Sequence, residues 1–345
     1  MSRARKLLLA FLVAFTATWF LTNRWGNQWE MPVRLALYQV FSDTMPELNV
    51  SIVGADGVPK VYMAPENGIE AGTQYNPTIV ANFALDYHKK CVKKNNQACN
   101  FFHNAVQSLR DSLITDSLGS RYVFPWRQPW YPKVPAPYYS GMTSGRALEV
   151  FMLAFEMRKD SSLYYASRNL VRGYYRTVME GGFTYKEPDG WWYEEFASPG
   201  AETPRILDGH MYAIKGLMAF QEKFPDDSAA VLIEHGLRSL KIALKEYDSP
   251  DGLFHYDKYG KVADKNYRKI ILGLLQYFYC QTGDPTFDAY YEKWVKRDQL
   301  PYFFRLLRDR NLSAGALFVI LTLALGVMFW FGISAIWKRG TTNTQ

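Results

Sequence analysis

The residues best suited to proton chemistry stand in one short run, Trp191-Trp192-Tyr193-Glu194-Glu195-Phe196. Two adjacent carboxyls among four large aromatic rings are costly to ionise away from water. Such acids serve either in a buried ion pair or as a general base with a tuned pKa. Further along, His255, Tyr256, Lys258 and Tyr259, then Tyr267 and Arg268, set phenols beside cations. A nearby cation is expected to lower a phenol pKa from its usual value of about 10. A third group runs from Phe124 through Trp126 and Trp130 to Tyr138-Tyr139-Ser140-Gly141, with Arg146 just beyond. Its rings can stack on sugar faces, and a Ser/Gly helix start offers free N–H groups to a carboxylate. Plainer roles stand beside these: helix capping for Ser140, covering of a barrel end for Trp126 and Trp130, a structural place for His210 after Asp208.

Other chemistries find little support. The histidines, at 88, 103, 210, 235 and 255, are scattered without metal-ligand spacing, so neither metal nor cofactor is expected. A formal charge of +7 suits a polyanionic partner, but no run of Lys and Arg resembles a nucleic-acid patch. Aromatics at 16% suit a carbohydrate cleft, and equally a large helical core with membrane-interface residues.

The elements that position these groups are mostly helical. Asn76-Pro77 opens a first helix, and Phe102, Val106, Leu109 and Leu113 mark a second. Ser144 is read as opening a third, Asp160 as capping a fourth, and Leu207 to Phe220 as a fifth. Asp226-Asp227 precedes a sixth, the apolar Ile270 to Tyr279 reads as a buried inner seventh, and Pro285 starts an eighth. Helix pairs recur at about 65 residues, and repeated pairs close into a toroid or solenoid because no single pair buries its own apolar face. Long aromatic loops near 117–143, 180–205 and 247–266 separate the pairs and are expected to meet at one mouth. They open alike, on Arg121 to Phe124, Gly182 to Tyr185 and Gly252 to Tyr256. In the second, Phe183 to Tyr185 and Trp191 to Tyr193 read as a hairpin around Pro188-Asp189-Gly190.

The ends read as membrane segments. Leu7 to Thr22 follows Arg3, Arg5 and Lys6, and is taken as a retained anchor rather than a cleaved signal. Ala314 to Trp337 is 24 residues without a charge, enough to cross about 30 Å of hydrocarbon. Short basic tails put both ends on the cytoplasmic side and the bulk in a periplasm or lumen. The expected organisation is an anchor over 1–24, a short β-rich segment over 25–74, and a catalytic α/α toroid over 75–312. A transmembrane helix over 313–338 and a tail over 339–345 complete it. Residues from 25 to 74 are read as non-helical, with a hairpin around Gly54-Ala55-Asp56-Gly57. Cys91 and Cys99 flank a polar turn and can form a disulfide outside the cytoplasm, while Cys280 reads as a buried thiol.

Several motifs together resemble the C-terminal domain of the D-glucuronyl C5-epimerases. They are Trp192-Tyr-Glu-Glu-Phe196, Arg205-Ile-Leu-Asp-Gly209, Met211-Tyr-Ala-Ile-Lys-Gly-Leu217, Tyr139-Ser-Gly-Met-Thr-Ser-Gly145, Tyr75-Asn-Pro77, and Tyr256 with Tyr267. They span about residues 75 to 298. The resemblance implies an incomplete α/α toroid acting on a heparosan or heparan-type polysaccharide, turning D-glucuronate into L-iduronate within the chain. It implies Glu195, Tyr256 and Tyr267 as catalytic groups. Trp126, Trp130, Tyr139, Ser140, Arg146, Trp192, Tyr193, Asp208, His210, Lys258 and Arg268 are then expected to meet substrate. The chain departs from the pattern in three places. Asp208 stands where the family usually has Asn, Phe196 where a Tyr is expected, and Tyr259 where the family has Arg. Lys258 or Arg268 is expected to supply that cation. A polysaccharide lyase or hydrolase on the same toroid, or a non-catalytic scaffold in a membrane assembly, are the alternatives. A homodimer stays among the assemblies open to the chain.

Overall fold

Side-chain caps fix where most helices begin. In the computed structural model, which describes residues 2–41, 49–249, 254–298, 300–309 and 312–342, packing divides the chain into two units. One comprises Met1–Pro46 with Val295–Gln345, the other Glu47–Trp294. Gly252 and Leu253, part of the third loop's expected opening motif, lie outside the described residues.

The larger unit begins with a three-stranded antiparallel sheet of β1 (Val50–Val53), β2 (Pro59–Met63) and β3 (Gly72–Gln74). The β1–β2 hairpin turns where expected; β3 is an addition the sequence pattern did not suggest. Tyr87 Oη donates to the Gly57 carbonyl at 2.9 Å and Asn104 to the Asp56 carbonyl at 2.8 Å, which fastens the turn to the first helix pair.

Four helix pairs follow. They are α2 (Pro77–Val92) with α3 (Asn96–Asp111), and α4 (Gly141–Arg158) with α5 (Ser161–Gly173). Next come α6 (Leu207–Lys223) with α7 (Asp227–Glu246), and α8 (Lys265–Thr282) with α9 (Pro285–Asp298). The side chains of Asn76, Asn95, Ser140, Asp160, Asp226 and Asp264 accept N–H groups of the first turn, satisfying donors that a helix start leaves open. Cys91 and Cys99 form a disulfide that joins α2 to α3.

Helices α4 and α6 bury nearly their whole circumference, whereas α3, α5 and α7 bury one stripe. Packing runs from α2 to α4 to α6 to α8, an inner layer backed by the outer partners. The unit is thus a mainly α, incomplete α/α toroid. Gly145 and Gly216 set the α4–α6 crossing, where a Cβ on either would strike the other helix's backbone. Two expectations change here. Helix α4 starts at Gly141 rather than Ser144, because Ser140 Oγ caps Thr143 N–H at 3.2 Å. Helix α8 is one-sided rather than fully inner, with Gly273, Gln276 and Cys280 exposed. Cys280 shares that outer face and is an exposed thiol, not a buried one.

The connections between pairs carry short hairpins. The first holds β4 (Ile114–Asp116) with β5 (Gly119–Arg121), and β6 (Val123–Phe124) with β7 (Tyr138–Tyr139). The second holds β8 (Thr184–Glu187) and β9 (Gly190–Tyr193), turning through Pro188-Asp189 with Gly190 at φ 136°.

In the smaller unit, α1 (Arg3–Phe41) packs along α11 (Leu312–Thr342), with the short α10 (Tyr302–Asp309) beside them. Both long helices contain stretches long and apolar enough to cross a membrane, Arg3–Gly26 and Leu312–Ala335. Ala10, Ala14, Thr18 and Thr22 recur every fourth residue and are buried, letting the backbones approach. Residues 25 to 41 were expected to be non-helical, yet α1 continues through Pro32 to Phe41. Trp29 and Val33, one turn apart, pack against the cluster of Tyr302, Ala314, Leu317 and Phe318. That partner lies at the other end of the chain, so local pattern did not show it.

Candidate active site

The two acids of the hairpin have different tasks. Glu194 is fully buried and accepts the N–H groups of Glu195 at 2.8 Å, Phe196 at 3.3 Å and Arg205 at 2.9 Å. Burial pushes its carboxyl up against the opposing pull of those hydrogen bonds. It closes the loop after β9 onto its own stem. The main chain of the same residue binds the start of α4, where its carbonyl accepts Gly141 N–H at 2.7 Å.

Glu195 turns the other way, into a cavity of about 500 Å³ at the toroid mouth. Its neighbours there are Asp208 from the start of α6, Tyr256 from the third loop, Tyr267 from the first turn of α8, and Ser140 at the start of α4. The loops therefore do converge, and main-chain bonds lock them. Tyr139 and Ala197 exchange N–H···O bonds at 2.8 and 2.9 Å, and the Tyr256 carbonyl accepts Leu207 N–H at 3.0 Å. Tyr131 Oη in the first loop donates to Asp257 Oδ2 in the third at 2.6 Å. Gly209 makes room for the acid, since a Cβ there would lie 2.6 Å from Glu195 Oε2.

Glu195 Oε2 and Asp208 Oδ1 are both shut from solvent and make no hydrogen bond within the described residues. Burial, then the charges of Asp208 and Glu194, raise the Glu195 carboxyl well above the carboxylate range. Burial raises Asp208 to about 7, against the pull of the N–H groups of Asp208 and Gly209. Two carboxyls so placed cannot both ionise readily, and near neutrality they hold one proton between them.

The phenols behave oppositely to expectation. Burial, followed by the Glu195 and Asp208 charges, raises Tyr267 to about 12 and Tyr256 further still. Their rings lie 4.3 Å apart and their hydroxyls are hydrogen-bonded. Lys261 Nζ sits 5.5 Å from the Tyr256 ring centroid, too far to outweigh burial. Both phenols stay protonated at neutral pH.

Of the expected substrate contacts, Trp130, Ser140 and Asp208 line this cavity. The others do other work. Trp126 packs edge-on against Phe124 and Tyr138. Tyr139 lies under Arg121. Tyr193 is buried and donates to the Leu232 carbonyl at 2.6 Å. Trp192 is buried and stacks on His210 at 4.1 Å between centroids. His210 accepts Tyr193 N–H at 3.0 Å, and burial depresses its imidazole to about 3, so it holds the hairpin as a neutral ring. Lys258 pairs with Glu202 at 3.2 Å and Arg268 donates to the Ala263 carbonyl at 3.2 Å, so neither supplies the cation expected in the cavity. Arg146 pairs with Glu149 at 2.9 Å and lines an adjoining groove. Among the described residues that line the catalytic cavity there is no Lys, Arg or His. Its neutral donors include Thr78, Asn82 and Asn266, which sequence reasoning missed, and Tyr212, which follows Asp208 by one helical turn.

A family model described as D-glucuronyl C5-epimerase C-terminus matches residues 115–296, which includes all four central groups of the cavity. An uncharacterized protein of Methanocaldococcus jannaschii is 28% identical over 151 residues, 43% of this chain and 48% of that protein. The chain thus spans about half the length of the curated relative it matches. The solved cellobiose 2-epimerase of Bacillus thermoamylovorans is 11% identical, with a TM-score of 0.51 over 83% of this chain and 74% of that one. That likeness concerns the fold.

Proposed function

Because the chain belongs to the D-glucuronyl C5-epimerase C-terminal family, we propose that it is a sugar C5-epimerase, converting D-glucuronate to L-iduronate within a heparosan or heparan-type polysaccharide. The observation that carries this reading is the pairing, in one cavity, of two carboxyls that share a proton with two phenols held protonated.

C5 of a uronate lies next to the carboxylate carbon. Removing its proton builds enolate charge, which must be met by hydrogen bonds, protonation or a cation. Carrying one proton, Glu195 and Asp208 have room for the proton leaving C5, and we assign Glu195 to receive it. The remaining proton belongs to the pair rather than to either acid, which spares Glu195 a full neighbouring charge. The neutral donors of the cavity receive the substrate carboxylate. The Tyr256–Tyr267 pair, protonated throughout the physiological range, returns a proton to the opposite face of the carbon. The reverse reaction uses the same groups with their roles exchanged.

We place this unit outside the cytoplasm, tethered by α1 and α11. The Cys91–Cys99 disulfide suits an oxidising compartment, and Arg3, Arg5 and Lys6 before the first apolar stretch suit a cytoplasmic end.

The test is hydrogen exchange. The full chain in detergent, given heparosan in heavy water, should place deuterium at C5 without shortening the polymer. Glu195→Gln and Tyr256→Phe should each lower that exchange by roughly 100-fold or more while circular dichroism is unchanged. Unsaturated, ultraviolet-absorbing chain ends would instead identify a lyase, and full exchange in both variants would remove these residues from the mechanism.

A further inference from the structure

Beside the catalytic cavity lies a second groove of about 670 Å³, along α2, α4, α6 and α8. Tyr212, Asn266 and Ile270 line both spaces, so the two adjoin. Their charges differ sharply. The catalytic cavity has carboxyls and neutral donors, whereas the groove carries Lys89, Arg146, Lys215 and Lys269. One buried acid, Glu149, serves two of these, holding Arg146 at 2.9 Å and Lys215 at 2.5 Å. Lys89 and Lys269 are exposed and make no ion pair among the described residues. The groove therefore keeps a surplus of positive charge, with two of its cations fixed in place and two free to reach a ligand. Tyr212, under Arg146 at 4.5 Å, forms the wall between the two spaces.

We propose that this groove is an anion-binding subsite, which holds the negatively charged group of a neighbouring sugar while one uronate occupies the catalytic cavity. It rests on the uronate-chain reading above and deepens it. A cavity lined by acids attracts an anionic sugar poorly on its own, and the adjoining cations supply that attraction from outside the reacting position. The enzyme then works on sugars inside a polyanionic chain, not on a free uronic acid. The chemistry recognised is a carboxylate or a sulfate ester.

Titration of the full chain in detergent with uronate-containing octasaccharides, sulfated and unsulfated, at several salt concentrations tests this directly. Lys89→Ala/Lys269→Ala should bind about tenfold more weakly, with a shallower salt dependence. In the C5 exchange assay the loss should fall on KM rather than kcat. Loss confined to the sulfated octasaccharide identifies the sulfate as ligand; loss with both identifies the carboxylate. Binding and salt dependence equal to those of the unaltered chain on both oligosaccharides would overturn the subsite, even if exchange at C5 is robust. Groove-dependent binding without exchange on any polymer would keep the subsite and overturn the epimerase reading.

Discussion

A single proton shared by Glu195 and Asp208 sets the working pH of the proposed site. Asp208 has its carboxyl at about 7, so kcat/KM should rise with pH through an acid limb near that value. Asp208→Asn mimics the protonated form and removes the charge that helps to raise Glu195. Exchange should persist in this variant, with its acid limb displaced to lower pH; a pH profile measures this. Stability follows the same linkage. A carboxyl raised in the fold binds a proton the unfolded chain has lost, so stability falls as pH rises from about 4 to about 7. Denaturant titrations of Asp208→Asn across that window should show a flatter dependence. At this scale the sequence was legible in kind. The acid pair, Asp208 and the two tyrosines could be picked out because carboxyls amid rings and phenols near cations are visible as residue types. The protonation state was not, since it depends on how deeply the phenols are buried and on their closeness to Glu195 and Asp208.

Elements hold these groups through close backbone approach rather than through bulk. Gly145 and Gly216 let α4 and α6 touch, and that crossing keeps Ser140 and Asp208 at the starts of the two helices facing one cavity. Gly216→Ala should therefore cost about 2 kcal/mol and lower the melting temperature, because backbone cannot yield to the added methyl. Gly273 on α8 has open space where its Cβ would be, so Gly273→Ala should leave melting unchanged or raise it slightly. Differential scanning calorimetry of the two variants makes the comparison. Helix starts were legible because Asn76, Asp160 and Asp226 cap them through local chemistry. The start of α4 was misplaced because two serines, Ser140 and Ser144, offer the same signal four residues apart. The one-sided exposure of α8 was hidden by a run too apolar to show a period.

At the scale of the molecule, each unit has its own means of stabilisation. The toroid's first pair is joined by the Cys91–Cys99 bridge, and α1 and α11 by small and aromatic residues drawn from opposite ends of the chain. Replacing both cysteines with serine should destabilise the toroid by about 2 kcal/mol, by loosening constraint on the unfolded chain across a short loop. A reductant should lower the melting temperature of the unaltered chain and leave that of the double variant where it is. The helix pairs and two apolar spans were readable from periodicity and length. The continuation of α1 past residue 25 was not, because what stabilises it is contact with a segment almost the whole chain away.

Glu194 clasps the chain on both sides of a loop, binding the N–H groups of residues 195, 196 and 205 with one carboxylate. Within that loop Ala197 pairs with Tyr139, Ser198 Oγ donates to the Pro137 carbonyl and Thr203 bonds Tyr185, so the flanks are held and the tip stands out between them. Pro199 and Gly200 are exposed, and Gly200 has nothing near its missing Cβ. That tip is thus a natural docking port for engineering. A flexible tag or a small carbohydrate-binding module spliced there should leave C5 exchange intact, since lengthening a loop costs only about 0.6 kcal/mol per doubling.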